Sequence, residues 1–390
     1  MNPKRSAHPF QEGLTNLNSD SAKRPKRRRL RYIIGISGLL IIGISIALNL
    51  WVRPPEIKAS PIGYDKPPAV SADADSVNND TEIIDVLEGD FVPEEFLNEN
   101  ILTFVVLGID DDASLTDTLM VGKFDWKNRK LAISSLPRDI MASVSWPVKK
   151  VNSLFNGLGG IDTIEDEGGF LDGLKDLLGF RVNSWLCVDT DAFVKLVDAI
   201  GGVYYDVPVD MVYEDYIQDL YIDIKAGYTL LSGEEALKVM RFREGYKVMP
   251  DIERIGTQQD FLMTVAKQVM KLDNIIFNIG EYVKIFTENV ETSLSSGSIA
   301  FLAKEFLKLS SEDITFHTMP YTVPHSYDGK INKTCYLTVD PEPWLEMINE
   351  YINPYNKQVT INDVDLLLWD EPSLSAVSTQ GSVYNINQIG

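Results

Sequence analysis

Nineteen consecutive residues, "RFREGYKVMPDIERIGTQQ" from Arg241 to Gln259, gather three arginines, an aspartate and a glutamine pair in a strongly acidic chain. Guanidinium groups collected in one place match the planar geometry of phosphate oxygens and can hold a pyrophosphate bidentately. Arg241 and Arg243 are two apart, so an extended backbone would point them the same way. Asp251, Arg254 and Gln258 are spaced i, i+3 and i+7, and they share a face once Pro250 has started a helix. Ile255, Leu262, Val265 and Val269 make the adjacent apolar stripe that a core would cover. The same spacing also suits an ordinary amphipathic helix with an Asp251–Arg254 ion pair, so anion binding and a local salt bridge both remain open.

Two further clusters could meet that stretch. In "FVVLGIDDDASLTDTLMV" an apolar run ends at Gly108, Asp110, Asp111 and Asp112 follow, and Asp117 precedes the next run. Loops leaving the carboxyl ends of strands are where α/β sheets bind ligands. Asp110 and Asp117 brought together there would repel each other unless an arginine or a hard cation lay between them, and magnesium suits such oxygen ligands. A solvated acidic loop is the plainer alternative. In "LAISSLPRDI", Pro137 gives a rigid exit from a strand and presents Arg138 at a defined position, or Arg138 simply pairs with Asp139 at the surface.

The elements that must position these residues alternate along the chain. Short β-rich runs occur at Leu102 to Leu107, Leu119 to Phe124, Leu131 to Ser135, Trp185 to Val188 and Val203 to Val207. Helical periodicity runs from Asp191 to Ile200, from Gly233 to Met240 and from Asp251 to about Leu272. Ser232 and Glu235 form a capping box before the second of these, and Gly201 with Gly202 reads as a turn between helix and strand. The alternation predicts a layered α/β/α domain with a central mixed sheet over residues 81–357. Residues 53–80, rich in Pro, Ala, Ser and Asp, read as an extended extracellular stalk, and residues 358–390 as a partly flexible tail.

Charge is unevenly distributed. Residues 1 to 53 carry about +8, so the rest of the chain carries about −29 of the total of −21. Between the two regimes lie 21 uncharged residues, 32–52, "YIIGISGLLIIGISIALNLWV", long enough at roughly 32 Å to cross a hydrocarbon core. The run is too long for a signal-peptide core and no A-x-A-like cleavage site follows, so it reads as an uncleaved transmembrane helix. "KRPKRRRLR" just before it places residues 1–31 in the cytoplasm and the rest outside the cell membrane. A tail that short cannot build a nucleic-acid-binding fold, and an acidic ectodomain has no reason to meet DNA. Cys187 and Cys335 are the only cysteines, and His8, His317 and His325 the only histidines, which disfavours a four-cysteine zinc site, a histidine-based zinc site or a serine triad outside the membrane.

The order of motifs then resembles one family. The blocks "VVLGID", "TDTLMV", "SSLPRDI", "KVNSLFNGLGG", "FVKLVDAIGGVYYDVP", "AGYTLLSGEEALKVMRFR" and "DIERIGTQQ", behind one amino-terminal membrane helix, are similar to the LytR-CpsA-Psr cell-wall enzymes. The resemblance implies a phosphotransferase that moves a teichoic acid or capsular polysaccharide from a polyprenyl pyrophosphate carrier onto peptidoglycan, with a deep apolar pocket for the lipid. It implies Asp110 and Asp117 as Mg2+ ligands and Arg138, Arg241, Arg243 and Arg254 as a pyrophosphate clamp with Gln258 on the same helix face. Asp251 would orient the clamp or act as a base. No side-chain nucleophile is required, since a sugar hydroxyl can attack directly and the protein need only position and neutralise charge.

The chain also departs from the family pattern. Where many relatives carry arginine, it has Asp111 or Asp112, Leu115 and Thr257. That motivates a second expectation, a non-catalytic regulator of envelope synthesis that binds polyprenyl phosphate.

Overall fold

The computed structural model describes residues 51–58, 60, 62–63, 98–109, 116–216, 220–243, 250–271, 278–324, 336–385 and 388–389, with residues 250–252 described in backbone only. The chain divides into two compact units, residues 1–53 and 54–390, and all that follows concerns the second. Among the described residues no helix is long and apolar enough to cross a membrane. The basic tail and nearly all of the expected span lie outside the described residues.

A six-stranded mixed sheet forms the centre. Its strands are β1 (Ile101–Ile109), β2 (Thr116–Asp125), β3 (Lys130–Ser135), β4 (Ser184–Val188), β9 (Glu291–Thr292) and β10 (Ile314–Thr318), in the order β10-β3-β2-β1-β4-β9. The β10–β3 and β1–β4 pairs are parallel and the other three antiparallel. The mixed sheet expected from the alternation is therefore present. The expected run at 203–207 is a strand, but it lies outside the main sheet. As β5 (Val203–Val207) it pairs, among the described residues, with β8 (Gly227–Leu231) alone, next to a second hairpin of β6 (Met211–Asp215) and β7 (Leu220–Ile224).

Around the sheet lie α1 (Phe170–Leu178), α2 (Thr190–Ala199), α3 (Gly233–Arg241) and α4 (Pro250–Val269). Strand alternation divides the packing. Val105, Leu107, Leu119 and Val121 point to one face, in a core with Phe170, Leu174 and the fully buried Trp344. Val106, Gly108 and Met120 point to the other, toward α2, α3 and α4. The two small hairpins close a second core around Tyr205, Ile222, Ala236, Val239 and Phe261.

Local chemistry sets the helix boundaries. The Ser232 hydroxyl accepts from the Glu235 N–H at 3.3 Å while the Glu235 carboxylate accepts from the Ser232 N–H at 2.9 Å, the expected capping box. Gly201 and Gly202 sit at φ +84° and +80°, left-handed values that admit glycine at little strain.

Gly122 faces Phe104 across β1 and β2, and a Cβ there would lie 2.3 Å from the Phe104 ring. Gly122→Ala therefore forces the ring aside and is expected to destabilise the chain by about 1–3 kcal/mol. An unfolding midpoint in urea equal to the parent's would contradict this packing.

Residues 358–390, expected as a partly flexible tail, instead hold a three-stranded antiparallel sheet of β13 (Leu367–Asp370), β14 (Ser375–Ser378) and β15 (Val383–Asn385). Leu367 and Ala376 are fully buried with Met141 and Tyr336, which a short polar-flanked run does not announce. The described start of the expected stalk is likewise tied down. The Asn183 side-chain amide donates to the Lys58 carbonyl at 2.8 Å, and the Ser60 N–H donates to the Tyr355 hydroxyl at 2.9 Å. The remainder of that stalk lies outside the described residues.

Candidate functional site

The carboxyl ends of β1, β3 and β4 and the start of β2 meet at one edge of the sheet, and Arg138, Arg243 and Arg254 gather there. Asp117, the second residue of β2, accepts a hydrogen bond from Arg138 Nη1 at 2.7 Å on one carboxylate oxygen and faces Arg243 Nη2 at 3.3 Å on the other. Its backbone carbonyl accepts from Arg254 Nη2 at 3.4 Å. Arg138 and, over a hundred positions later, Arg243 and Arg254 thus converge on a single aspartate. Burial alone would raise the Asp117 pKa, but the charges of Arg243, Arg138 and Arg254, with the Arg138 hydrogen bond, outweigh it and hold the carboxyl below its ordinary value.

Each arginine arrives by a different local device. Arg138 follows Pro137, whose carbonyl accepts from Ile140 N–H at 3.0 Å to close the exit turn. Both sequence readings of Arg138 hold together, because its Nε lies 3.7 Å from Asp139 while Nη1 reaches Asp117. Asp139 is itself buried and accepts from Lys150 Nζ at 2.6 Å. Arg241 and Arg243 do not share one extended segment as expected. Arg241 ends α3, and Phe242 at φ −65°, ψ 130° turns the chain into extended backbone. Phe242 is buried in the second core, which drives its two neighbours toward the site.

In α4, Arg254 and Gln258 are both 4% exposed, on the face expected of them. The Gln258 amide nitrogen contacts Thr118 Oγ1 at 3.4 Å and the Met240 carbonyl at 3.3 Å, so it joins β2, α3 and α4. Asp251 lies in the first turn of α4, and its side chain is outside the described residues. So are Asp110, Asp111, Asp112 and Leu115. Thr257, where the motif resemblance leads one to expect arginine, is buried and donates to the Glu253 carbonyl within its own helix at 3.3 Å.

Beside the cluster lies a cavity of about 270 Å3. Val106, Met120, Val188, Phe193, Leu196 and Leu237 give it apolar walls between the sheet and α2, α3 and α4. Asp117, Arg241, Arg254 and Gln258 supply the polar part of the same lining. An apolar slot joined to an arginine cluster can take a molecule with a hydrocarbon chain at one end and a polyanion at the other.

The donor chemistry of Asp117, a hard carboxylate, suits magnesium, although its two oxygens face Arg138 and Arg243 here. Among the described residues no group of three or more His, Cys, Asp or Glu could hold a metal ion, and the carboxylate expected to join Asp117 is not among them. His317 on β10 stacks on Tyr351 at 3.8 Å between centroids, and burial lowers its pKa despite Glu350. Cys187 is buried on β4, where burial together with Glu291 and Asp189 pushes its thiol up to about 12.

Sequence reasoning missed the supports. Gln259 reaches from α4 to Ser135 Oγ at 2.9 Å, the His317 carbonyl at 2.8 Å and Thr318 Oγ1 at 3.0 Å, which fixes α4 to β3 and β10. Asp139 with Lys150 backs Arg138 in a comparable way. The adjacent Gln258–Gln259 pair was a usable signal for the first support, and nothing local marked the second.

The LytR_cpsA_psr family model matches residues 69–352. The regulatory protein MsrR of Staphylococcus aureus is 26% identical over 59% of the chain and 67% of its own length. The polyisoprenyl-teichoic acid–peptidoglycan teichoic acid transferase TagV of Bacillus subtilis is 27% identical over 61% of the chain and 60% of its own length. The chain thus spans about two thirds or less of the curated relatives it matches. The crystal structure of B. subtilis TagV superposes with a TM-score of 0.54 at 24% identity, over 65% of this chain and 95% of that one, which establishes a shared fold.

Proposed function

Because the chain belongs to the LytR-CpsA-Psr family, we propose that it is a membrane-anchored, extracytoplasmic transferase. In this reading it moves a glycopolymer of teichoic acid or capsular type from a polyprenyl pyrophosphate carrier to peptidoglycan. The observation that carries the reading is the convergence of Arg138, Arg243 and Arg254 on Asp117 beside a cavity with apolar walls. The apolar walls suit a polyprenyl chain, and the arginines, joined by Arg241 and Gln258 in the same lining, suit its pyrophosphate. The curated name of TagV supports the same class of reaction.

In the reaction a hydroxyl oxygen of the acceptor glycan forms a bond to the phosphorus that carries the glycopolymer. The bond from that phosphorus to the polyprenyl phosphate breaks, and the leaving oxygen keeps the electron pair. The hydroxyl proton passes to a base, for which Asp251 at the start of α4 is the candidate. The arginines bind the phosphate oxygens, hold attacking and leaving oxygens in line, and neutralise charge as it shifts to the leaving group. Asp117 and Asp110 would hold magnesium, which when bound adds further charge neutralisation at the pyrophosphate.

The full-length chain in detergent, given a lipid-linked glycan pyrophosphate and peptidoglycan, is expected to release polyprenyl phosphate and label the peptidoglycan. A second reading, a regulator that binds polyprenyl phosphate without turnover, is favoured by the buried Thr257 where the motif resemblance leads one to expect arginine. Tight lipid binding with no release from any donor would select it.

A further inference from the structure

A second cavity, of about 540 Å3, lies against Ala142–Trp146 and α1. Its apolar lining, Ala142, Val144, Leu154 and Leu177, belongs to the core on the face of the sheet opposite the 270 Å3 slot. We propose that this cleft binds the saccharide backbone of the acceptor glycan. The assignment rests on the transferase reading above.

Trp146 is built as a platform. Its indole Nε1 donates to Ser153 Oγ at 2.8 Å, which fixes the ring's orientation. Gly157 lies against the indole so closely that a Cβ there would come 2.5 Å from Cζ2. Only glycine lets the turn Leu154–Gly157 lie on the ring in this way. Trp146 also lines the cleft, so a ring backed by protein on one side is presented to the cavity on another. A flat aromatic surface of this kind suits the apolar C–H face of a sugar ring.

The polar lining suits hydroxyl and N-acetyl groups. Ser143 and Ser145 line the cleft, and the Ser143 hydroxyl, closed off from solvent, has no hydrogen-bond partner among the described residues. Glu167, Asp172, Asp176 and Asp365 line the cleft against a single cation, Lys175, and Asp172 is bonded to Arg181 at 3.1 Å and to the Gly168 N–H at 2.8 Å. None of these carboxylates belongs to a group able to hold a metal among the described residues. The excess of negative charge repels a phosphate-rich polymer and so favours the sugar acceptor over the donor chain.

The cleft's lining is close to Arg138 along the chain. Ser143 is five residues beyond Arg138, at most about 17 Å along extended backbone, and the Asn152 N–H donates to the Arg138 carbonyl at 3.2 Å. The proposal requires a glycan held on Trp146 to run past Arg138 and bring a hydroxyl to the arginine cluster.

The test titrates the full-length chain in detergent with peptide-free peptidoglycan oligosaccharides by calorimetry, and with polyprenyl phosphate as a separate arm. Trp146→Ala is expected to weaken saccharide binding about tenfold or more, and Glu167→Gln, at an exposed position, by about threefold. Trp146→Phe is expected to retain part of the affinity, and lipid binding is expected to stay at the parent value throughout. In transfer assays the acceptor KM rises while the donor KM and kcat at saturating acceptor hold. Equal saccharide affinity for parent, Trp146→Ala and Glu167→Gln overturns the cleft, as does binding that requires the stem peptide. Loss of saccharide binding in Trp146→Ala with no turnover by the parent keeps the cleft and rejects the transferase. Turnover with an unchanged acceptor KM in Trp146→Ala does the reverse.

Discussion

Asp117→Asn is expected to slow glycopolymer transfer by about three orders of magnitude, at the upper end of what one preorganised electrostatic group supplies. The size follows from how many partners the carboxylate organises. One oxygen holds Arg138 at 2.7 Å and the other faces Arg243 at 3.3 Å. Asparagine keeps the shape and removes the charge, so the two guanidiniums lose the anchor that aims them. The same change has a signature in stability against pH. The folded-state pKa of Asp117 lies below its ordinary value, so its ionised form stabilises the fold. That contribution is complete above the unfolded carboxyl value of about 3.9 and fades as pH falls through the lowered folded value. Thermal melts of parent and variant are therefore expected to differ at pH 6 and converge in strong acid. Parent-like turnover in Asp117→Asn would remove this residue from the site.

The chemistry of the site was legible from the order of the motifs, since residue type and spacing alone left surface salt bridges equally open. Arg138, Arg243 and Arg254 were nameable from residue type, spacing and the order of motifs, and they do meet. How they meet was not legible. Arg241 and Arg243 reach the site because Phe242 between them is buried, a tertiary fact that spacing of two suggests for the wrong reason. Gln259 and Lys150 act across 58 and 11 positions respectively; the glutamine pair hinted at the first contact, and nothing local marked the second. The sheet's core strands were visible as apolar runs. The two-residue β9 and the terminal β13–β15 meander were not, because short edge strands take their stability from what covers them rather than from their own periodicity.

Arg254 and Arg243 are expected to respond differently to the same substitution by lysine, and burial is the reason. Arg254 is 4% exposed, while the Arg243 side chain is 38% exposed. Lysine at 243 keeps a mobile charge that water and substrate can both reach, so Arg243→Lys is expected to retain transfer within about tenfold. Lysine at 254 must put a point charge where a planar fork now reaches the Asp117 carbonyl and the cavity. Desolvation opposes its ionisation, and one ammonium cannot reproduce two parallel contacts to a phosphate. Arg254→Lys is therefore expected to lower kcat/KM about a hundredfold and Arg254→Ala about a thousandfold, with the lysine variant recovering partly at lower pH as the ammonium is restored. Rates measured for all three variants with one lipid-linked donor decide the matter. Equal losses at 243 and 254 would mean that net positive charge at the edge of the sheet, and not the buried fork, is what the pyrophosphate requires.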